Sequence, residues 1–139
     1  MPTQGFLLDT HVWVWLELGE DRFTPLQKRQ LNAAAVNLHL YITSITLLEV
    51  ANMHRRGKVA LPMSLDSWFE TTLSHAGITI LQVTPRIASD TCLLPETFHG
   101  DPADRLIAST ARVEGLTLCT HDEKLIAFGK QGLYRTMPI

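Results

Sequence analysis

The sequence predicts an α/β protein in which a mostly parallel sheet of about five short strands is covered by helices on both faces. Three observations carry this expectation. Short apolar runs alternate along the chain with longer segments of helical periodicity, the pattern of strands joined by crossover helices. At 139 residues, 45% of them hydrophobic, the chain is long enough to bury a core without disulfides or structural metal. No internal repeat, low-complexity tract or linker divides it, so residues 1–139 are read as a single domain.

The elements follow in order. Phe6-Leu7-Leu8 is a buried strand ended by Asp9-Thr10, and residues 11–18 carry Val12, Trp13, Trp15 and Leu16 in a pattern that fits a helix on the sheet. Gly19-Glu20-Asp21 breaks it. Thr24-Pro25 supplies an N-cap and a first-position proline for a helix to about residue 37, and a strand follows over 38–43. Ser44 is the expected cap of the next helix, which stops at Gly57 with Arg55, Arg56 and Lys58 at its positive-favouring end. A helix over about 65–75, ended by Ala76-Gly77, precedes the clearest strand, 78–83. Residues 85–94 read as a short helix, 95–100 as a loop, and Pro102 opens a helix ended by Gly115. A strand over 116–119, a short helix over 122–128 and an edge strand over 133–135 complete the chain.

Composition narrows the function. The net charge is −2, so no global basic field advertises nucleic-acid binding, and any such binding needs a local patch or a metal site. Cys92 and Cys119 lack metal-ligand spacing and read as buried free thiols of a reducing compartment. The N-terminus has no basic region or clean hydrophobic stretch of a signal peptide. No segment approaches the roughly 18 apolar residues of a membrane helix, so a cytoplasmic protein without membrane contact is expected.

Four carboxylates stand where apolar runs give way to helical pattern: Asp9, Glu49, Asp104 and Asp122. In an open α/β sheet, functional groups gather outside the carboxyl ends of the strands. Acids converging there repel one another unless a cation holds them, and an all-oxygen cluster suits Mg²⁺ or Mn²⁺, metals of phosphoryl chemistry. A metal-dependent nuclease is the leading idea.

Each acid also has a plain structural explanation. Asp9 and Asp122 are placed to cap helices, Asp101 is the natural cap before Pro102, and Asp104 then lies in a first turn that favours negative charge. Glu49 resists this reading, because it sits among Leu47, Leu48, Val50 and Ala51 with no Lys or Arg three or four residues away. Thr10, Ser44 and Thr120 could orient ligating carboxylates or hold a water. His11 and His121 adjoin key aspartates and read as supporting or loop residues; His39, His54, His75 and His99 show no pairing pattern. Trp13, Trp15 and Trp68 could stack on bases, although a tryptophan on an apolar helix is usually core or interface. Arg55, Arg56 and Lys58 are candidate phosphate contacts or simply a solvated helix end.

Taken together, four blocks resemble the signature of PIN domains, and in particular the small VapC-type toxins. They are Leu7-Leu8-Asp9-Thr10-His11, Thr43-Ser44-Ile45-Thr46-Leu47-Leu48-Glu49, the run from Asp101 to Ala111 containing Asp104-Arg105-Leu106-Ile107-Ala108, and Leu118-Cys119-Thr120-His121-Asp122. The resemblance covers essentially the whole chain, each block being short and the ordered set specific. It implies a Mg²⁺- or Mn²⁺-dependent ribonuclease whose catalytic and metal-binding quartet falls on Asp9, Glu49, Asp104 and Asp122, with Asp101 as helper or cap. It also implies a cognate antitoxin, a homodimer, and contact with DNA only through that antitoxin. His121 departs from the pattern, since many relatives carry asparagine or arginine there. Two other readings stay open at this stage. One is a PIN-like binding module without catalysis. The other is a Mg²⁺-dependent phospho-receiver domain, which would need a lysine after a later strand that this chain lacks.

Overall fold

A computed structural model of the chain describes residues 5–75, 77–98 and 100–139. The readings of the N-terminal segment before Gly5, of Ala76 and of His99 lie outside these residues. Five strands, β1 (Phe6–Leu8), β2 (Leu40–Thr43), β3 (Ile78–Leu81), β4 (Thr117–Thr120) and β5 (Arg135–Pro138), form one sheet in the order β3-β2-β1-β4-β5. Every strand pair is parallel, with Leu7 opposite Tyr41 on one side and Leu118 on the other. Helices α1 (Thr10–Glu17), α2 (Pro25–Val36), α3 (Ser44–Arg55), α4 (Leu65–Ser74), α5 (Pro85–Asp90), α6 (Pro102–Glu114) and α7 (Glu123–Lys130) make the connections, with a 3-10 turn at Thr91–Leu93.

Alternation along β1 sends its side chains to two separate cores. Phe6 and Leu8 join Val12, Trp13, Leu31, Val50 and Trp68 on one face. Leu7 joins Ile107, Ala108, Ala111, Leu118 and Leu125 on the other. A sheet buried on both sides explains why its central strands read as continuous apolar runs.

Helix starts follow their capping chemistry. Thr24 and Gln27 form a reciprocal capping box at α2, with Gln27 N–H donating to Thr24 Oγ1 at 3.1 Å and Thr24 N–H donating to Gln27 Oε1 at 2.9 Å. Gly115 closes α6 in the left-handed conformation at φ 67°. Gly129 is retained inside α7 for a different reason: a Cβ there would stand 2.4 Å from Thr136 Cγ2 of β5.

Several sequence expectations need correction. Ser44 is the first residue of α3, not its cap; Thr43 holds the cap position without a side-chain cap bond. The strand expected over 38–43 begins at Leu40, because Leu38 turns through φ 59°. The strand expected to reach Val83 ends at Leu81, and the helix expected over 85–94 gives way at Asp90 to the 3-10 turn. The final strand is Arg135–Pro138 and not 133–135: Gly132 turns at φ 91°, and Tyr134 is drawn inward by donating its hydroxyl to Leu125 O at 2.7 Å. Pro138 is tolerated because β5 is an edge strand. Cys119 is buried as expected, but Cys92 lies exposed on the 3-10 turn. Among the described residues no helix is long and apolar enough to cross a membrane.

Candidate active site

The strand order reverses direction between β1 and β4, and a crevice opens there beyond their carboxyl ends. Asp9 follows β1 and caps α1, accepting Thr10 N–H at 2.8 Å through Oδ1 and the Thr120 hydroxyl at 2.7 Å through Oδ2. The Thr120 hydroxyl in turn accepts Asp122 N–H at 3.0 Å, so one side chain ties the ends of β1 and β4 together. Asp122 caps α7 through Lys124 and Leu125 N–H. Both plain cap readings therefore hold, and both caps also face the crevice.

Glu49 enters from α3 and Asp101 and Asp104 from the start of α6. Carboxylate oxygens of these three lie within 4.8 Å of one another. The cleft, about 350 Å³, is lined by Asp9, Thr10, Glu49, Asp101, Asp104 and Asp122 together with three aromatic side chains. All four acids of the expected quartet thus meet in one place. Asp101, expected to be a helper, stands inside the tightest group. Its side chain also accepts Ala103 N–H at 3.0 Å, so it is cap and cluster member at once.

A threonine relay that sequence reasoning missed supports Glu49. With Glu49 ionised, Thr10 Oγ1 donates its proton to Glu49 Oε1. Its oxygen is then left to accept from Thr46 Oγ1, 3.0 Å away, and Thr43 Oγ1 lies 3.4 Å from Thr46. Thr46 is fully buried. The available signal was its spacing, three residues before Glu49 and so on the same face of α3. This relay supplies the support expected of Ser44.

Burial raises the carboxyl pKa of Asp9, with its two hydrogen bonds opposing and Asp122 adding to the rise. Burial likewise raises Glu49 to about 7, against the Thr10 hydrogen bond and with help from Asp9, Asp104 and Asp101. A carboxyl raised in the folded state contributes stability that is fully present below its unfolded pKa and is lost as pH rises through its folded value. Without divalent cations, the melting temperature is therefore expected to fall between about pH 5 and about pH 8. Glu49→Gln should flatten that slope, and added Mg²⁺ should raise the melting point more at the higher pH. Thermal melts across this grid check it; an equal Mg²⁺ effect at both pH values refutes it.

The positive residues divide. Arg56 and Lys58 line a groove of about 410 Å³ between α3 and α6 that shares Glu49 and Asp101 with the acidic cleft. Arg55 is exposed on α3 and is not among the groove's lining residues. A larger cavity, about 630 Å³, opens near the start of β4 and β5 and contains Arg112, Lys130 and Arg135 but no carboxylate.

The sequence model of the PIN domain matches residues 6–131. The chain belongs to the PIN domain family. Ribonuclease VapC22 of Mycobacterium tuberculosis is 31% identical over 119 residues, 86% of this PIN domain chain and 88% of that protein. The fold is also shared with a chain of DNA-bound VapBC from Salmonella typhimurium, at TM-score 0.70 and 20% identity over 98% of both chains. A chain of Rickettsia felis VapBC2, bound to a fragment of promoter DNA, has TM-score 0.68 and 21% identity over 96% of this chain and 97% of that one.

Proposed function

We propose that this PIN domain is a Mg²⁺- or Mn²⁺-dependent endoribonuclease and the toxin of a toxin–antitoxin pair. The observation that carries the reading is the meeting of Glu49, Asp101 and Asp104 within 4.8 Å, beside Asp9 and Asp122 in one cleft. The donor set fits the ion: these are hard carboxylate oxygens with no thiolate or imidazole in the close group. The similarity to a ribonuclease of the VapC type supports RNA as the substrate.

Glu49, Asp101 and Asp104 would hold the ion, with Asp9 and Asp122 completing the negative site. When bound, a divalent ion neutralises phosphate charge and lowers the pKa of water. The chain's own groups set the geometry. Thr10 fixes the Glu49 carboxylate, Thr120 fixes that of Asp9, and backbone N–H groups fix Asp101 and Asp122. Water adds to phosphorus, the P–O3′ bond breaks, and the products are a 5′-phosphate and a 3′-hydroxyl. Arg56 and Lys58 are placed to receive flanking phosphates in the adjoining groove, with Arg55 beyond it.

The cognate antitoxin, a second copy of the chain, and DNA reached only through the antitoxin are the partners of this reading. Leu26, Val36, Leu38 and Leu48 expose apolar surface for protein contacts. Trp13 is fully buried and belongs to the core, not to this surface. The test is cleavage of single-stranded RNA by the purified chain in Mg²⁺ or Mn²⁺, abolished by chelation and restored by adding the ion back. Cleavage indifferent to chelation, or none on any RNA, overturns the proposal.

A further inference from the structure

Part of the cleft lining beside the carboxylates is aromatic. His11, Trp15 and His121 form this wall. His11 and Trp15 are one helical turn apart on α1, with ring centroids 6.1 Å apart. His121, from the loop after β4, meets Trp15 edge-on at 5.4 Å. Two further contacts hold these rings. The Arg22 guanidinium lies over the Trp15 ring at 4.1 Å, and His121 Nδ1 is 2.6 Å from the Ile139 oxygen. Trp15 differs from the other two tryptophans: Trp13 and Trp68 are buried at 0% and 2% exposure, whereas Trp15 is half-buried beside two exposed histidines.

We propose that Trp15, flanked by His11 and His121, is the stacking platform for a nucleobase adjoining the scissile phosphate. This rests on the ribonuclease reading above. RNA is a polyanion, the chain carries a net charge of −2, and the cleft is lined by five carboxylates, so long-range attraction does not bring substrate here. Contacts indifferent to charge then add to the local pull of Arg56, Lys58 and a bound ion. Stacking of bases on aromatic rings is such a contact and tolerates any sequence. Arg22, already packed on Trp15, adds a positive group on the aromatic side of the cleft, while Arg56 and Lys58 lie in the groove on the other side of Glu49 and Asp101. A strand crossing the acids from the aromatic wall to that groove meets a favourable group on each side of the reacting phosphate.

The test uses the chain carrying Asp104→Asn to suppress cleavage, in Mg²⁺. It is titrated with an oligouridylate of about ten nucleotides and with an abasic ribose–phosphate strand of equal length. Binding of the base-bearing strand should quench tryptophan fluorescence, and the abasic strand should not. Trp15→Leu in the same background should raise Kd for the oligouridylate about tenfold or more and leave the abasic strand unaffected. Trp15→Phe should restore most of the affinity, which a merely structural role would not predict. Without Asp104→Asn, Trp15→Leu should raise KM more than it lowers kcat. Unchanged Kd and KM in Trp15→Leu, with RNA still cut, overturns the platform and leaves the ribonuclease reading standing. Failure of the parent chain to bind or cut RNA overturns both. Unchanged RNA affinity with weakened binding of an antitoxin protein assigns the wall to that partner and overturns the platform as well.

Discussion

Asp104→Asn is expected to reduce metal-dependent RNA cleavage by at least about 10²–10³-fold while leaving the fold intact, the scale seen when one preorganised electrostatic group is removed from a reacting centre. The substitution keeps size and first-turn position but removes the charge that, with Glu49 and Asp101, makes the close oxygen group. Loss of the first-turn charge weakens the helix-dipole contribution of α6 by about 0.3–1 kcal/mol. Without metal that loss is offset by reduced repulsion, since Asp104 is one of the groups raising Glu49, so the net change in stability should be small. Rates in Mg²⁺, an unchanged circular dichroism spectrum and a weaker Mg²⁺-induced rise in melting temperature together check this. Undiminished cleavage in a folded variant would falsify the site assignment.

Trp13→Ala is expected to cost about 3–5 kcal/mol of stability, the range for emptying a large aromatic core position. Trp13 is 0% exposed, stacks obliquely on Trp68 at 5.0 Å, and donates its indole N–H to Glu17 Oε1 at 3.3 Å. Against a total of about 5–15 kcal/mol for a domain, such a loss removes much or all of the margin. Urea denaturation should show a lower midpoint with little change in slope. A loss below about 1 kcal/mol would mean that the core between α1 and α4 collapses around the void. The same change two residues later has a different target, since Trp15 faces the cleft and its loss should register in substrate affinity.

That pair marks how far the sequence is legible. Residues two apart on a helix point to different sides, so Trp13 and Trp15 could be separated by position alone. Which side was core and which was cleft depended on the direction in which α1 leaves β1. The alternation of apolar runs and helices gave the parallel α/β architecture, because strands buried on both faces must be apolar throughout. The edge was less readable: Arg135–Pro138 carries little apolar pattern, and its register follows from pairing with Thr117–Thr120. At the site, the ordered acids were legible one by one. The closeness of Asp101 to Glu49 was not, since it arises from α3 packing against α6, a tertiary relation that periodicity does not encode. The threonine relay was hidden for the same reason, with Thr10 and Thr46 separated by 36 residues.

The Thr120 hydroxyl that holds Asp9 reaches across 111 residues of chain. During synthesis Asp9 leaves the ribosome early, but its partner arrives only late in the chain, when β4 adds alongside β1 and is itself joined afterwards by β5. A chain ended before β4 lacks the strand that carries Thr120 and leads to Asp122, so its cleft is incomplete. Timing is built into the topology: a protein whose proposed activity would endanger the RNA around its own ribosome assembles its site last.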